Sequence, residues 1–290
     1  MGLEDCVIRC PASVGDLAAA PHSGVLWRAA PGRLLLEVPD VARYLVSDGN
    51  LVEIEPCGAD AGEVRRFLRM TPTAALYLQR GIPVLHAAAA ADPAGHAVVL
   101  AGNSGAGKSV LLATLVQRGW GLLTDDLAPV TLDDAGAPVA VPTWPEMVLW
   151  PDSVGGVATS VADGADVTEF GPSGSQRAVG WEAGFVDEAR PVRAIWWLGV
   201  HGFDPIEVHG VEGISRFEAF GAMGYHRRIA SALLDRASYL TVAGTVAGSG
   251  IPIRRLIRPR GRWTAGELAD IVQDGTCPPS PKIARLPISG

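Results

Sequence analysis

The chain has 290 residues and a formal net charge of −7, a balance that repels nucleic-acid phosphates and argues against DNA or RNA as partners. Its 48% hydrophobic and 19% charged residues describe a globular chain with material for a large core, not a disordered one. No apolar run reaches the ~20 residues of a membrane-spanning helix, and the opening MGLEDCVIRC has no charged-then-apolar signal pattern, so a cytoplasmic protein without a membrane role is expected.

Residues 1–80 read as a β-rich lead-in. Short apolar stretches at Gly24–Ala29, Arg33–Val38, Tyr44–Val46 and Leu51–Ile54 are separated by turn signals such as Pro31-Gly32, Pro39-Asp40 and Asp48-Gly49-Asn50. Helical spacing of apolar residues follows at Val64–Met70 and Thr73–Arg80, the second closed by Gly81. Residues 81–290 form the second region. Strands are expected at Val84–Ala91, Ala97–Ala101 and Gly121–Thr124, with a helix over Val110–Gln117 ended by Arg118 and Gly119. The stretch 155–181 is small and polar, and suits a mobile lid. Beyond it come a buried strand at Ala194–Val200, a helix at Phe217–Leu234, a last strand at Ile253–Ile257 and a short helix at Ala265–Val272. No internal repeat and no clean linker divide the chain. The four cysteines, Cys6, Cys10, Cys57 and Cys277, lack zinc-ligand spacing and are expected as free thiols. The arginines Arg254, Arg255, Arg258, Arg260 and Arg262 fit a solvated edge or a local acidic partner better than a nucleic-acid site.

The segment Gly102-Asn103-Ser104-Gly105-Ala106-Gly107-Lys108-Ser109 satisfies G-x-x-x-x-G-K-[ST] at every fixed position, between an apolar strand and an amphipathic helix. Glycines let successive N–H groups turn into one anion-sized hollow, and the helix adds the positive end of its dipole. Lys108 supplies a mobile charge for the β- and γ-phosphates of a nucleoside triphosphate, and Ser109 a hydroxyl for Mg²⁺. One helix and one strand later, Asp125-Asp126 stands where a metal ligand or a proton acceptor would be placed. In an extended chain the two carboxylates would point to opposite sides. His86 ends an apolar run, a place where a lone histidine is commonly a satisfied core residue.

The run from Leu85 to Val130, LHAAAAADPAGHAVVLAGNSGAGKSVLLATLVQRGWGLLTDDLAPV, resembles the catalytic core of bacterial HPr kinase/phosphorylase. The resemblance is closer to the HPr-kinase-like proteins of ribosomal peptide pathways such as those of lasso peptides. It extends to Leu78–Ala87, Leu149-Trp150-Pro151-Asp152 and Ile251–Pro259. It implies an α/β P-loop kinase core of the phosphoenolpyruvate carboxykinase-like type behind the β-rich lead-in. Lys108 becomes the phosphate-binding lysine, Ser109 and Asp125 metal ligands, Asp126 the proton acceptor and His86 the active-site histidine. Glu146 and Asp152 both lie near the family's further metal-binding glutamate, and Glu146 is taken with the metal set. The HPr enzymes' protein-substrate signature and separate N-terminal domain are not found, which points away from HPr as acceptor. The expectation is an ATP-dependent, Mg²⁺-requiring kinase acting on a serine or threonine hydroxyl of a peptide or small molecule. Other peptide-modifying enzymes, or a second copy of the chain, are its expected partners. The alternative is a nucleotide-binding accessory protein of a peptide-modifying complex with little turnover.

Overall fold

The computed structural model describes residues 3–150, 167–170, 176–202 and 204–275, with backbone alone for 167–170, 176 and 177. The lead-in is a six-stranded sheet of β1 (Val7–Arg9), β2 (His22–Ser23), β3 (Trp27–Ala30), β4 (Arg33–Val38), β5 (Ala42–Ser47) and β6 (Leu51–Pro56) in the order β1-β6-β5-β4-β3-β2. All its pairings are antiparallel except β1–β6. The two-residue period is plain in β6, where Val52 and Ile54 are buried and the intervening residues are not. Two helices follow, α1 (Ala61–Leu68) and α2 (Thr71–Gln79). The Asp60 carboxylate caps α1 by accepting the N–H groups of Gly62 and Glu63. In α2, with Pro72 in its first turn, every residue from Thr71 to Leu78 is buried.

The larger sheet draws on β7 (Val84–Ala91), β8 (Ala97–Gly102), β9 (Gly121–Thr124), β10 (Leu127–Leu132), β11 (Pro138–Ala140), β15 (Arg190–His201), β16 (Glu207–Val211) and β17 (Ile253–Pro259). Its order is β11-β10-β7-β8-β15-β17-β16, with β9 beside β7. The central strands β8, β15 and β17 run parallel, and β8 is buried at every residue because helices cover both faces of the sheet. One face carries α3 (Lys108–Gln117) and the last helix. The other carries α4 (Ser215–Ala222) and, beyond α5 (Arg227–Leu233), α6 (Arg236–Gly248). The last helix is α7 (Ala265–Asp274). Leu111, Leu112 and Leu115 of α3 meet Trp196 and Leu268 on the first face; Phe220 and Val242 fill the second. A further apolar cluster joins the lead-in to the larger sheet, running from Tyr44 and Tyr77 to Val84, Leu127, Tyr225 and Ile229. A small sheet of β12 (Glu146–Leu149), β13 (Val167–Phe170) and β14 (Gln176–Gly180), ordered β12-β14-β13, completes the α/β architecture. Among the described residues no helix is long and apolar enough to cross a membrane.

Three expectations are corrected. The single helix over Phe217–Leu234 is two helices, because the chain between them docks on β7. There the His86 N–H donates to Met223 O and the Tyr225 N–H to Val84 O, both at 2.8 Å, and His226 turns to a φ of 39°. Helix α6, capped by Asp235, and strands β10, β11, β12 and β16 carry no strong local pattern and went unforeseen. Within the expected lid over 155–181, the described pieces are strands β13 and β14; the rest, like Asp152 and Cys277, lies outside the described residues.

Candidate active site

Strand β8 delivers Gly102 to the end of the parallel sheet, and α3 begins six residues later at Lys108. Gly102 has a φ of 152°, and a Cβ there would lie 2.8 Å from the Leu198 carbonyl of neighbouring β15. Gly107, at φ 103°, would place a Cβ 3.3 Å from Arg258 Nε. Close approach to backbone at Gly102 and the positive φ at Gly107 thus favour glycine at both ends of the loop. Lys108 is buried, and its Nζ donates to the carbonyls of Gly102 at 2.9 Å and Asn103 at 3.4 Å. Burial lowers its pKa while the charges of Asp126 and Asp125 oppose that shift. From β17, Arg258 donates to the carbonyls of Ala106 and Gly105, each at 3.0 Å, and so clamps the loop from outside. That role escaped the sequence reading, which placed Arg258 in a solvated cluster. Others of that cluster stack on rings, Arg254 over Trp196 and Arg255 over Trp197, while Arg262 pairs with Glu267 and Asp204.

The Asp125-Asp126 pair does not continue the strand with its carboxylates on opposite sides. It makes a tight turn between β9 and β10: the Leu127 N–H donates to Asp125 O at 2.9 Å, and Asp126 adopts a φ of 70°. Asp tolerates this left-handed conformation better than most residues. The turn brings both carboxylates to the same cavity. Asp125 Oδ1 accepts the Ser109 hydroxyl and the Asp126 N–H, each at 3.0 Å, and Oδ2 accepts the Val148 N–H of β12 at 2.9 Å. Enclosure of this carboxyl raises its pKa to about 6, helped by the Asp126 charge and opposed by the Val148 and Ser109 hydrogen bonds and by Lys108.

His86 meets Asp126 through strand register. Leu127 of β10 lies opposite His86 of β7, and the adjoining Asp126 places Oδ1 3.2 Å from His86 Nε2. Burial lowers the imidazole pKa, with Lys108 and His226 acting the same way and Asp126 against them. The imidazole and the Asp126 carboxylate thus form a close electrostatic pair at the cavity. Tyr225 lies behind it, ring centroids 6.1 Å apart, with its hydroxyl 3.4 Å from Thr71 Oγ1.

The glycine loop, Lys108, Ser109, both aspartates and His86 line a cavity of about 560 Å³. Glu146 lines it too, but its carboxylate is ion-paired with Arg69, whose guanidinium lies 5.2 Å above the Trp144 ring. Of the candidate metal ligands, then, Ser109 and Asp125 are brought together and Glu146 is engaged elsewhere. Among the described residues no group of three or more His, Cys, Asp or Glu side chains is arranged to hold a metal. Helix α1 and its C-cap also line the cavity, presenting Arg65, Arg66 and Arg69. Nothing in the local pattern of α1 distinguishes these arginines from an ordinary solvated face.

No protein-family model matches the chain, and no curated protein does. Among solved structures it is similar to the Hpr(Ser) kinase/phosphatase from Coxiella burnetii, at 12% identity and a TM-score of 0.34, over 66% of this chain and 89% of that one. Likeness at that level assigns neither family nor activity, so function rests on the geometry of the site.

Proposed function

We propose that the chain is a kinase that transfers the γ-phosphoryl group of ATP, or of another nucleoside triphosphate, to a hydroxyl. The acceptor in this reading is a serine or threonine of a peptide, or a small molecule, in a ribosomal-peptide pathway. The observation that carries the proposal is the convergence on one cavity of a glycine loop at a helix N-terminus, a buried lysine, a serine–aspartate pair and a histidine–aspartate pair. Loop N–H groups, the α3 dipole and Lys108 suit a polyphosphate. Ser109 and Asp125 fit Mg²⁺ as adjacent hard oxygen donors. Mg²⁺ held there would offset charge on the phosphates.

In the transfer, the acceptor oxygen forms a bond to the γ-phosphorus as the bond to the β–γ bridging oxygen breaks, and that electron pair leaves with the nucleoside diphosphate. Asp126 accepts the hydroxyl proton, with the His86 imidazole 3.2 Å from its carboxylate. Lys108 moves from its loop carbonyls to the phosphate oxygens and stabilises the charge that develops on them. Calorimetry of Mg-ATP binding tests the site. Lys108→Ala should weaken affinity by about 10- to 100-fold, the worth of a charge-assisted contact; wild-type affinity in the variant removes the nucleotide from this loop.

A further inference from the structure

The cavity has two cationic walls, and the nucleotide accounts for one of them. On the loop side, Lys108 and Arg258 both engage loop carbonyls, and farther along that wall Arg262 pairs with Glu267 and Asp204. On the α1 side, Arg65 and Arg69 stand one helical turn apart with Arg66 beside them, and all three reach the cavity. Arg69 pairs with Glu146 of β12, two residues before the Val148 N–H that holds Asp125, so the arginine wall is tied to the strand that supports Asp125. Its buried Nε has no hydrogen-bond partner among the described residues. Arg65 is exposed at the cavity and has no carboxylate partner among the described residues. Arg66 is partly buried over the Phe67 ring at 5.2 Å, with Glu63 as its electrostatic neighbour. Arg69 is balanced by Glu146 and Arg66 has Glu63 nearby, whereas Arg65, exposed beside them at the same cavity, gains a charge partner from an anionic acceptor and little from a neutral one.

We infer that the acceptor carries an anionic group, a carboxylate or a phosphate ester, close to its hydroxyl. The anion seats against Arg65 and Arg66 of α1 while the hydroxyl faces Asp126. This inference rests on the kinase reading and adds the substrate class. It assigns Arg65 and Arg66 to acceptor selection and leaves the polyphosphate to the glycine loop. The planar guanidinium fork accepts either oxyanion bidentately, so both carboxylate and phosphate fit.

The test uses the full-length chain loaded with Mg²⁺ and the non-hydrolysable analogue AMP-PNP. Calorimetry compares three acetylated, amidated peptides, Ala-Ser-Asn-Ala, Ala-Ser-Asp-Ala and Ala-Ser-phosphoserine-Ala, against wild type and Arg65→Gln/Arg66→Gln. The Asp and phosphoserine arms separate carboxylate from phosphate. In wild type at least one anionic peptide should bind about tenfold or more tightly than the neutral one. The variant should erase that ratio while AMP-PNP affinity and helical circular dichroism stay at wild-type values. Equal binding of all three peptides overturns the inference, as does a preference that survives in the variant. A parallel loss of AMP-PNP affinity also overturns it, by giving these arginines to the nucleotide. If AMP-PNP does not bind wild type at all, the kinase reading fails by itself. The peptides are then titrated into unloaded protein, where an Arg65- and Arg66-dependent preference sustains the anion site and its absence ends it. Charge-reversed Arg65→Glu, at an exposed position, serves as the second variant should the double change unfold α1.

Discussion

The two walls of the cavity are built by different physics. The glycine-loop wall comes from consecutive residues, Gly102 to Ser109, held between a fully buried strand and a helix whose apolar face is closed in the core. Backbone groups supply most of its chemistry, and they have no side-chain freedom to lose. The other wall is assembled from α1 and β12, which are distant in sequence and tied together by contacts such as Arg69–Glu146 and Arg69–Trp144. Pairs of that kind at partly exposed positions are individually weak and screened by salt. Under the proposed function a site so divided separates duties: the backbone wall holds the polyphosphate and the side-chain wall selects the acceptor.

The sharpest way to break the comparison is to disable chemistry while leaving both walls standing. Asp126→Asn keeps the turn and an acceptor oxygen for His86 but cannot take a proton. Phosphoryl transfer should fall by roughly 10²- to 10⁴-fold with nucleotide affinity unchanged, as read by turnover and calorimetry. Retained turnover would move the base elsewhere. A smaller effect is expected on the glycine-loop wall. Arg258→Ala removes the donors to the Gly105 and Ala106 carbonyls, and nucleotide affinity should drop by about tenfold, with Arg258→Lys recovering part of the loss. An unchanged affinity would show that the loop holds its shape without the clamp.

A further test concerns stability and not the reaction. The pKa of Asp125 rises from 3.8 to about 6 on folding, so the folded protein holds this proton more tightly than the unfolded chain. The ionised group therefore costs stability above pH 6, and the cost is relieved as pH falls from about 6 towards 4. In metal-free buffer, Asp125→Asn should stabilise the protein at pH 7 by up to about 3 kcal/mol, less whatever is lost by replacing one acceptor oxygen. The gain should shrink through the same pH window in thermal melts. A destabilised variant at pH 7 would mean that the Ser109 and Val148 hydrogen bonds outweigh the burial of charge.

What could be read from the chain follows the same division. The glycine loop, its flanking strand and helix and the aspartate pair are contiguous or regularly spaced, so period and composition located them to within a residue or two. The strands β4, β5 and β6 were legible as short apolar runs between turn residues. Contacts set by register were not. Arg258 reaches the loop because Val200 pairs with it across β15–β17 while Leu198 pairs with Gly102 across β8–β15, a placement no local pattern encodes. The direction of the aspartate pair was misread because the Leu127 N–H closes a turn that an extended-strand reading does not anticipate. The break between α4 and α5 arises from hydrogen bonds to β7, a tertiary contact that overrides helical propensity.

The central claim is that this cavity transfers a phosphoryl group and does more than hold a nucleotide. Two adjacent carboxylates facing a polyphosphate repel it unless a metal and an acceptor proton engage them, so a protein that only bound nucleotide would gain nothing from the second. The most direct measurement follows label from γ-³²P-ATP into serine-bearing peptides, for wild type and for Asp125→Asn/Asp126→Asn, with nucleotide affinity measured on the same preparations. The account predicts that wild type labels an acceptor, while the double variant labels none yet binds ATP as well as wild type, or more tightly without Mg²⁺. Equal labelling by both proteins would contradict it.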